Sequence, residues 1–103
     1  MLEIKYAKEA IEDLKMVYLG VFEASRDIET TEKYFVGLKE RIKEQCKRPK
    51  TGTRLYYKNT FSGIYFVTYK AYIAFYKVSD EFLYVIKIAL AKSDYLKEIF
   101  GDK

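Results

Sequence analysis

At 103 residues and 12.2 kDa, half hydrophobic and with a single proline, the chain is the size of one packed domain, expected to span 1–103, and is not disordered. Nineteen Lys and Arg against fifteen Asp and Glu leave a net charge of +4 and a pI near 9.0, which suits an anionic partner without requiring one. The lack of histidine excludes an imidazole-driven nucleophile and any zinc site needing a His ligand, and Cys46, the only cysteine, excludes intramolecular disulfides, iron–sulfur clusters and Cys-rich zinc sites.

Leu2, Ile4 and Tyr6 alternate with Glu3 and Lys5, the period of a short strand with one buried face. From Lys8 the period lengthens. Ile11, Leu14, Tyr18 and Val21 or Phe22 recur at three and four, which predicts a helix of about fourteen residues, followed by a turn over Glu23–Asp27. Asp27 is a suitable N-cap for a second helix, with Glu29 in its first turn and an apolar line of Thr31, Phe35, Leu38, Ile42 and Cys46 running up to Pro49 and Gly52. Two adjacent helices with apolar stripes imply a hairpin laid on a sheet.

The sheet belongs to the second half, since residues 53–103 hold eight of the eleven tyrosines and five of the seven phenylalanines. Ile64–Tyr69, Tyr72–Val78 and Phe82–Leu90 read as three strands whose short connections make them antiparallel neighbours. The last is apolar on both faces and belongs in the interior, and a helical turn follows from Ser93 or Asp94 through Phe100. The expected class is α+β, in the order βααβββα.

Between Arg41 and Lys58 the chain carries Arg41, Lys43, Lys47, Arg48, Lys50, Arg54 and Lys58 against Glu44 alone. The members ending the second helix suit the negative end of its dipole without any ligand. Arg54 and Lys58 stand beside Tyr56, Tyr57 and Phe61, a mixture of cations and aromatic rings that either grips phosphate while stacking bases or merely borders the sheet. Alternation sends Tyr65 and Tyr69 to one sheet face and groups Tyr72 and Tyr76 with Val78, so one face is rich in tyrosine. Asp13 with Glu9 or Glu12, and Glu40 with Glu44, read as solvated helix faces, and Cys46 as a packed core thiol. No glycine-rich nucleotide cradle occurs, so no cofactor is expected. The first fifteen residues hold no apolar run of signal-peptide length and no segment approaches membrane-span length, so the expected setting is the cytoplasm.

Taken in order, Tyr72-Ile-Ala-Phe-Tyr-Lys-Val78, Leu83-Tyr-Val-Ile-Lys-Ile-Ala-Leu90 and Ser93-Asp-Tyr-Leu-Lys-Glu-Ile-Phe100 resemble the RelE/ParE toxin superfamily across nearly the whole chain. Ala7-Lys-Glu-Ala-Ile-Glu-Asp-Leu14 is similar to the family's first helix, where a serine and a proline usually stand in place of Ala7 and Lys8. The Thr30-Thr-Glu-Lys-Tyr-Phe35 run and the Arg48-Pro-Lys-Thr-Gly52 loop also match.

The resemblance implies the toxin of a bacterial type II toxin–antitoxin pair, inhibiting growth and neutralised in a hetero-oligomer by a cognate antitoxin encoded nearby. Its target would be DNA gyrase, as in the ParE branch, or ribosome-bound mRNA, as in the RelE branch. Where the nuclease branch carries arginines, this chain has Ile73 with non-basic neighbours and then Lys92 or Ser93, whereas Ser93-Asp-Tyr95 onward looks more like the gyrase-directed branch. The arginine pair usual in that branch reads Lys92-Ser93, which keeps one charge but not the bidentate fork. If the chain is a metal-independent nuclease, Arg54, Lys58, Lys70 and Lys92 are the candidate phosphate clamps and Tyr95 the candidate proton donor. Val17, Phe22, Val36 and Phe100 are candidate antitoxin contacts or core. A noncatalytic, decayed toxin serving as an antitoxin-binding, operon-repressing module, and a small RNA-binding domain, are the remaining readings.

Overall fold

In the computed structural model, which describes residues 1–101, the alternation at the start of the chain forms β1 (Glu3–Tyr6). A helical hairpin of α1 (Lys8–Ser25) and α2 (Ile28–Glu44) follows, and two single 3₁₀ turns, Gln45–Lys47 and Pro49–Thr51, lead into the sheet. Strands β2 (Thr53–Tyr57), β3 (Thr60–Tyr69), β4 (Tyr72–Val78) and β5 (Phe82–Leu90) form a continuous antiparallel meander. The last element is α3 (Tyr95–Phe100). The spatial order is β1-β5-β4-β3-β2, with β1 parallel to β5 and Ile4 opposite Leu83, so the sheet is mixed and β5 lies in its interior.

The meander holds one strand more than the hydrophobic patterning picks out. Among Thr53–Tyr57 only Leu55 is buried, so β2 has little apolar signature, and its turn to β3 uses Lys58 and Asn59 at φ 52° and 66°. A two-residue hairpin turn of type I′ needs positive φ at both positions, and lysine does not announce it. Helix α1 also runs longer than expected, since Glu23, Ala24 and Ser25 contain no breaker. It ends where Arg26 turns left-handed at φ 56° and donates its N–H to the Phe22 carbonyl at 2.7 Å. Asp27 caps α2 as its sequence implies, accepting the Thr30 N–H at 3.1 Å. The Thr30 hydroxyl, and after it that backbone bond, hold the Asp27 carboxyl below its usual range.

Both faces of the sheet are covered. On one, Ala10, Leu14 and Val17 of α1 and Leu38 and Ile42 of α2, with Cys46, pack on Tyr65, Val67, Tyr76, Leu83 and Val85. The stripe of α1 that meets the sheet is therefore Ala10, Leu14, Val17 and Val21, while Ile11, assigned to the core by its spacing, is 46% exposed. Both lines repeat at three and four, and only the docking direction separates them. The tyrosine-rich face is this helix-covered one, so its rings are packing groups. Tyr76 donates its hydroxyl to the Pro49 carbonyl at 2.6 Å, and burial pushes its pKa up. Close approach demands glycine at Gly37, where a Cβ would stand 2.0 Å from the Tyr69 hydroxyl. On the other face Leu55, Ile64, Ile73, Phe75 and Ala89 are roofed by Tyr95, Ile99 and Phe100 of α3. No helix among the described residues is long and apolar enough to cross a membrane.

Candidate functional site

Beyond Tyr6, which lies opposite Val85, β1 no longer covers the outer edge of β5. Backbone groups there need other partners. The Ala7 N–H reaches the Val85 carbonyl at 2.8 Å, and one turn into α1 the Asp13 carboxylate accepts the Ile88 N–H at 2.9 Å. Lys87 then places its Nζ 3.3 Å from Asp13 Oδ1 and 3.2 Å from Glu98 Oε1 of α3, with only 14% of its side chain exposed. One ammonium thus ties both covering layers to β5. Burial works against its charge, but Glu98 and Asp13 hold its pKa above the ordinary lysine value. Asp13 is accordingly not on a solvated face. It shares the Ala10 and Val17 side of α1 at spacings of three and four, a signal present in the sequence but outweighed by its acidic neighbours.

The five candidate nuclease residues do not converge. Lys58 occupies the β2–β3 turn and Lys70, at φ 52°, the β3–β4 turn. The ten-residue β3 between them separates these two cations by about 30 Å along the sheet. Lys70 lies 5.2 Å over the Tyr34 ring and 5.6 Å over Tyr69. Lys92 is near that end, because the Ala91 N–H donates to the Ala71 carbonyl at 2.8 Å. Arg54 projects from edge strand β2 over the Phe61 ring at 5.0 Å, on the helix-covered side where it faces Tyr65. Tyr95 packs against Phe75 at 5.2 Å beneath α3, on the opposite face. Lys70 and Lys92 lie near one another at one end of the sheet, Arg54 and Lys58 lie along β2 toward the other end, and Tyr95 lies on the opposite face. Among the described residues no three His, Cys, Asp or Glu side chains gather as metal ligands.

The candidate partner contacts also divide. Val17 is 2% exposed and belongs to the core, because it sits on the sheet-facing stripe of α1. Phe22 is half-buried, Val36 is 53% exposed, and Phe100 stacks on Tyr57 with ring centroids 4.1 Å apart. The sequence pattern places Ile11, Leu14, Tyr18 and Phe35 on core stripes and leaves out Leu19; the outward edge of those stripes is open instead. Ile11, Leu14, Tyr18 and Leu19 with Phe35 of α2 line an open apolar groove of about 430 Å³, bordered by Lys15. Tyr18 meets Phe35 edge-on at 5.4 Å and donates its hydroxyl to Glu32, which ties the two helices together and raises the tyrosine pKa.

The sequence matches no protein-family model and no curated protein sequence. Among solved structures, a chain of the chromosomal ParDE TA system from P. aeruginosa superposes with a TM-score of 0.72 at 17% identity, over 89% of this chain and 98% of that one. YafQ from E. coli strain BL21(DE3) aligns with a TM-score of 0.47 at 16% identity, over 88% of this chain and 94% of that one. The first likeness establishes a ParE-like fold, the arrangement that the sequence resemblance implied.

Proposed function

We propose that the chain is the toxin of a type II toxin–antitoxin pair, acting by binding a macromolecular target in the cytoplasm and held inactive by a cognate antitoxin. The observation that carries this reading is the agreement of fold with the ParDE TA system chain over nearly the full length of both. The proposed target is DNA gyrase. Scattering of Arg54, Lys58, Lys70, Lys92 and Tyr95 leaves RNA cleavage without an assembled set of clamps and proton donor, which favours a binding mode of action over catalysis. The open groove on the hairpin, with Ile11 46% and Leu19 54% exposed and Val36 on the same helical layer, is the proposed seat for apolar side chains of the antitoxin.

Controlled expression in a susceptible bacterium, alone and together with the neighbouring gene, tests the reading. Growth arrest relieved by the neighbour is expected, and harmless expression of the isolated chain overturns it. In vitro, purified protein should impair supercoiling by gyrase and leave ribosome-bound transcripts intact. Cleaved transcripts with unaffected supercoiling would move the assignment to the RelE mode.

A further inference from the structure

Strand β2 ends the sheet, and among the described residues no strand pairs with its outer edge. Its inner side is occupied by β3, with the Ser62 hydroxyl donating to the Leu55 carbonyl at 2.6 Å. The outer side therefore presents the unpaired N–H and C=O groups of an edge strand, the usual template for adding a further strand. Charge around it is one-sided. From Gln45 to Ser79 the chain carries seven lysines and arginines and no carboxylate, so β2, β3 and β4 hold none. Arg54 on β2, Lys58 in its turn and Arg48 and Lys50 just before it are exposed and make no ion pair among the described residues. Tyr56 is 54% exposed and adds an aromatic face.

We infer that the free edge of β2 is a strand-addition site for an extended, acidic segment of a partner protein. The sign of the charge chooses the occupant. A second copy of this chain would set Arg54 and Lys58 against their own like charges, so the cations that guard the edge against self-pairing select a segment bearing carboxylates. Main-chain hydrogen bonds supply the register, and Arg54 and Lys58 pair with acidic side chains carried on one face of the added strand. A nucleic acid would meet the same cations, but the unpaired backbone edge and the stacking of the half-buried Tyr57 ring on Phe100 favour a peptide over a stack of bases. This inference rests on the sheet edge and its charge, and stands or falls independently of the toxin assignment.

The probe is a synthetic octapeptide of alternating Glu and Val, titrated into the intact chain and followed by amide hydrogen exchange. The expected result is saturable binding with slowed exchange confined to Thr53–Tyr57, and a loss of at least tenfold in affinity in Arg54→Glu and separately in Lys58→Glu, both exposed positions. N-methylation of alternate peptide residues should abolish binding in one phase of the alternation and spare it in the other. Equal binding of both N-methylated peptides, protection confined to the α1–α2 groove, self-association through β2, or binding of oligouridylate in place of the peptide would each overturn the inference.

Discussion

Replacing Lys87 by methionine keeps the apolar stem and removes the charge that joins α1, β5 and α3. Two charges about 4 Å apart attract by about 4 kcal/mol at an effective dielectric near 20, and the hydration lost by a largely buried ammonium offsets much of that. Contacts of 3.3 Å to Asp13 and 3.2 Å to Glu98 are made with 14% of the lysine side chain exposed, but Glu98 is 45% exposed and its share is screened. The expected net loss is about 2 kcal/mol, read as a fall of about 10 °C in Tm for a domain of this size. Urea unfolding at pH 7, followed by circular dichroism, measures it. The cycle completed with Asp13→Asn should show a coupling of about 1 kcal/mol between the two residues.

The pH dependence carries the sign. Because the folded pKa of Lys87 is raised, its stabilisation is complete below the unfolded lysine value near 10.4 and declines as pH rises through the higher folded value. The gap between wild type and Lys87→Met should therefore hold from pH 7 to about 10 and close above that. A variant within about 0.5 kcal/mol of wild type at pH 7 would refute the fastening role assigned to this lysine.

Gly37→Ala should cost about 1–2 kcal/mol net in the same unfolding assay, because displacing Tyr69, whose hydroxyl would stand 2.0 Å and Cζ 2.7 Å from the new Cβ, outweighs the roughly 1 kcal/mol that alanine gains inside a helix. Wild-type stability in that variant would mean the tyrosine is not held there. Cys46 is 1% exposed and burial pushes its thiol pKa up, so a thiol reagent at pH 7.5 should label it at least about 1000-fold more slowly in the native chain than in denaturant. Rapid native labelling would contradict its place in the core.

Local pattern was sufficient where one residue's neighbours along the chain decide its role. The Asp27 cap, the Thr31-to-Cys46 line of α2 and the separation of Tyr65 and Tyr69 from Ile64 and Phe66 all follow from helical or strand period, and all are found in the structure. Strand β2 escaped because it buries a single residue and turns on a lysine, and an edge strand needs neither face to be strongly apolar.

The sequence by itself determined the order of strand, helical hairpin and meander, the tyrosine-rich face and the one-sided charge near the sheet, since periodicity and composition are properties of the chain. Only the tertiary structure decided which stripe of α1 meets the sheet, and which charges are fastened and which stand free. Asp13, Lys87 and Glu98 lie far apart in sequence and meet because β1 ends before β5 does, leaving an edge that α1 must satisfy. Arg54, Lys58, Lys70 and Lys92 are all cations of the second half, yet the length of β3 holds Lys58 and Lys70 at opposite ends of the sheet. Charge is additive along a sequence, but a site depends on distance, and distance is set by the pairing of strands.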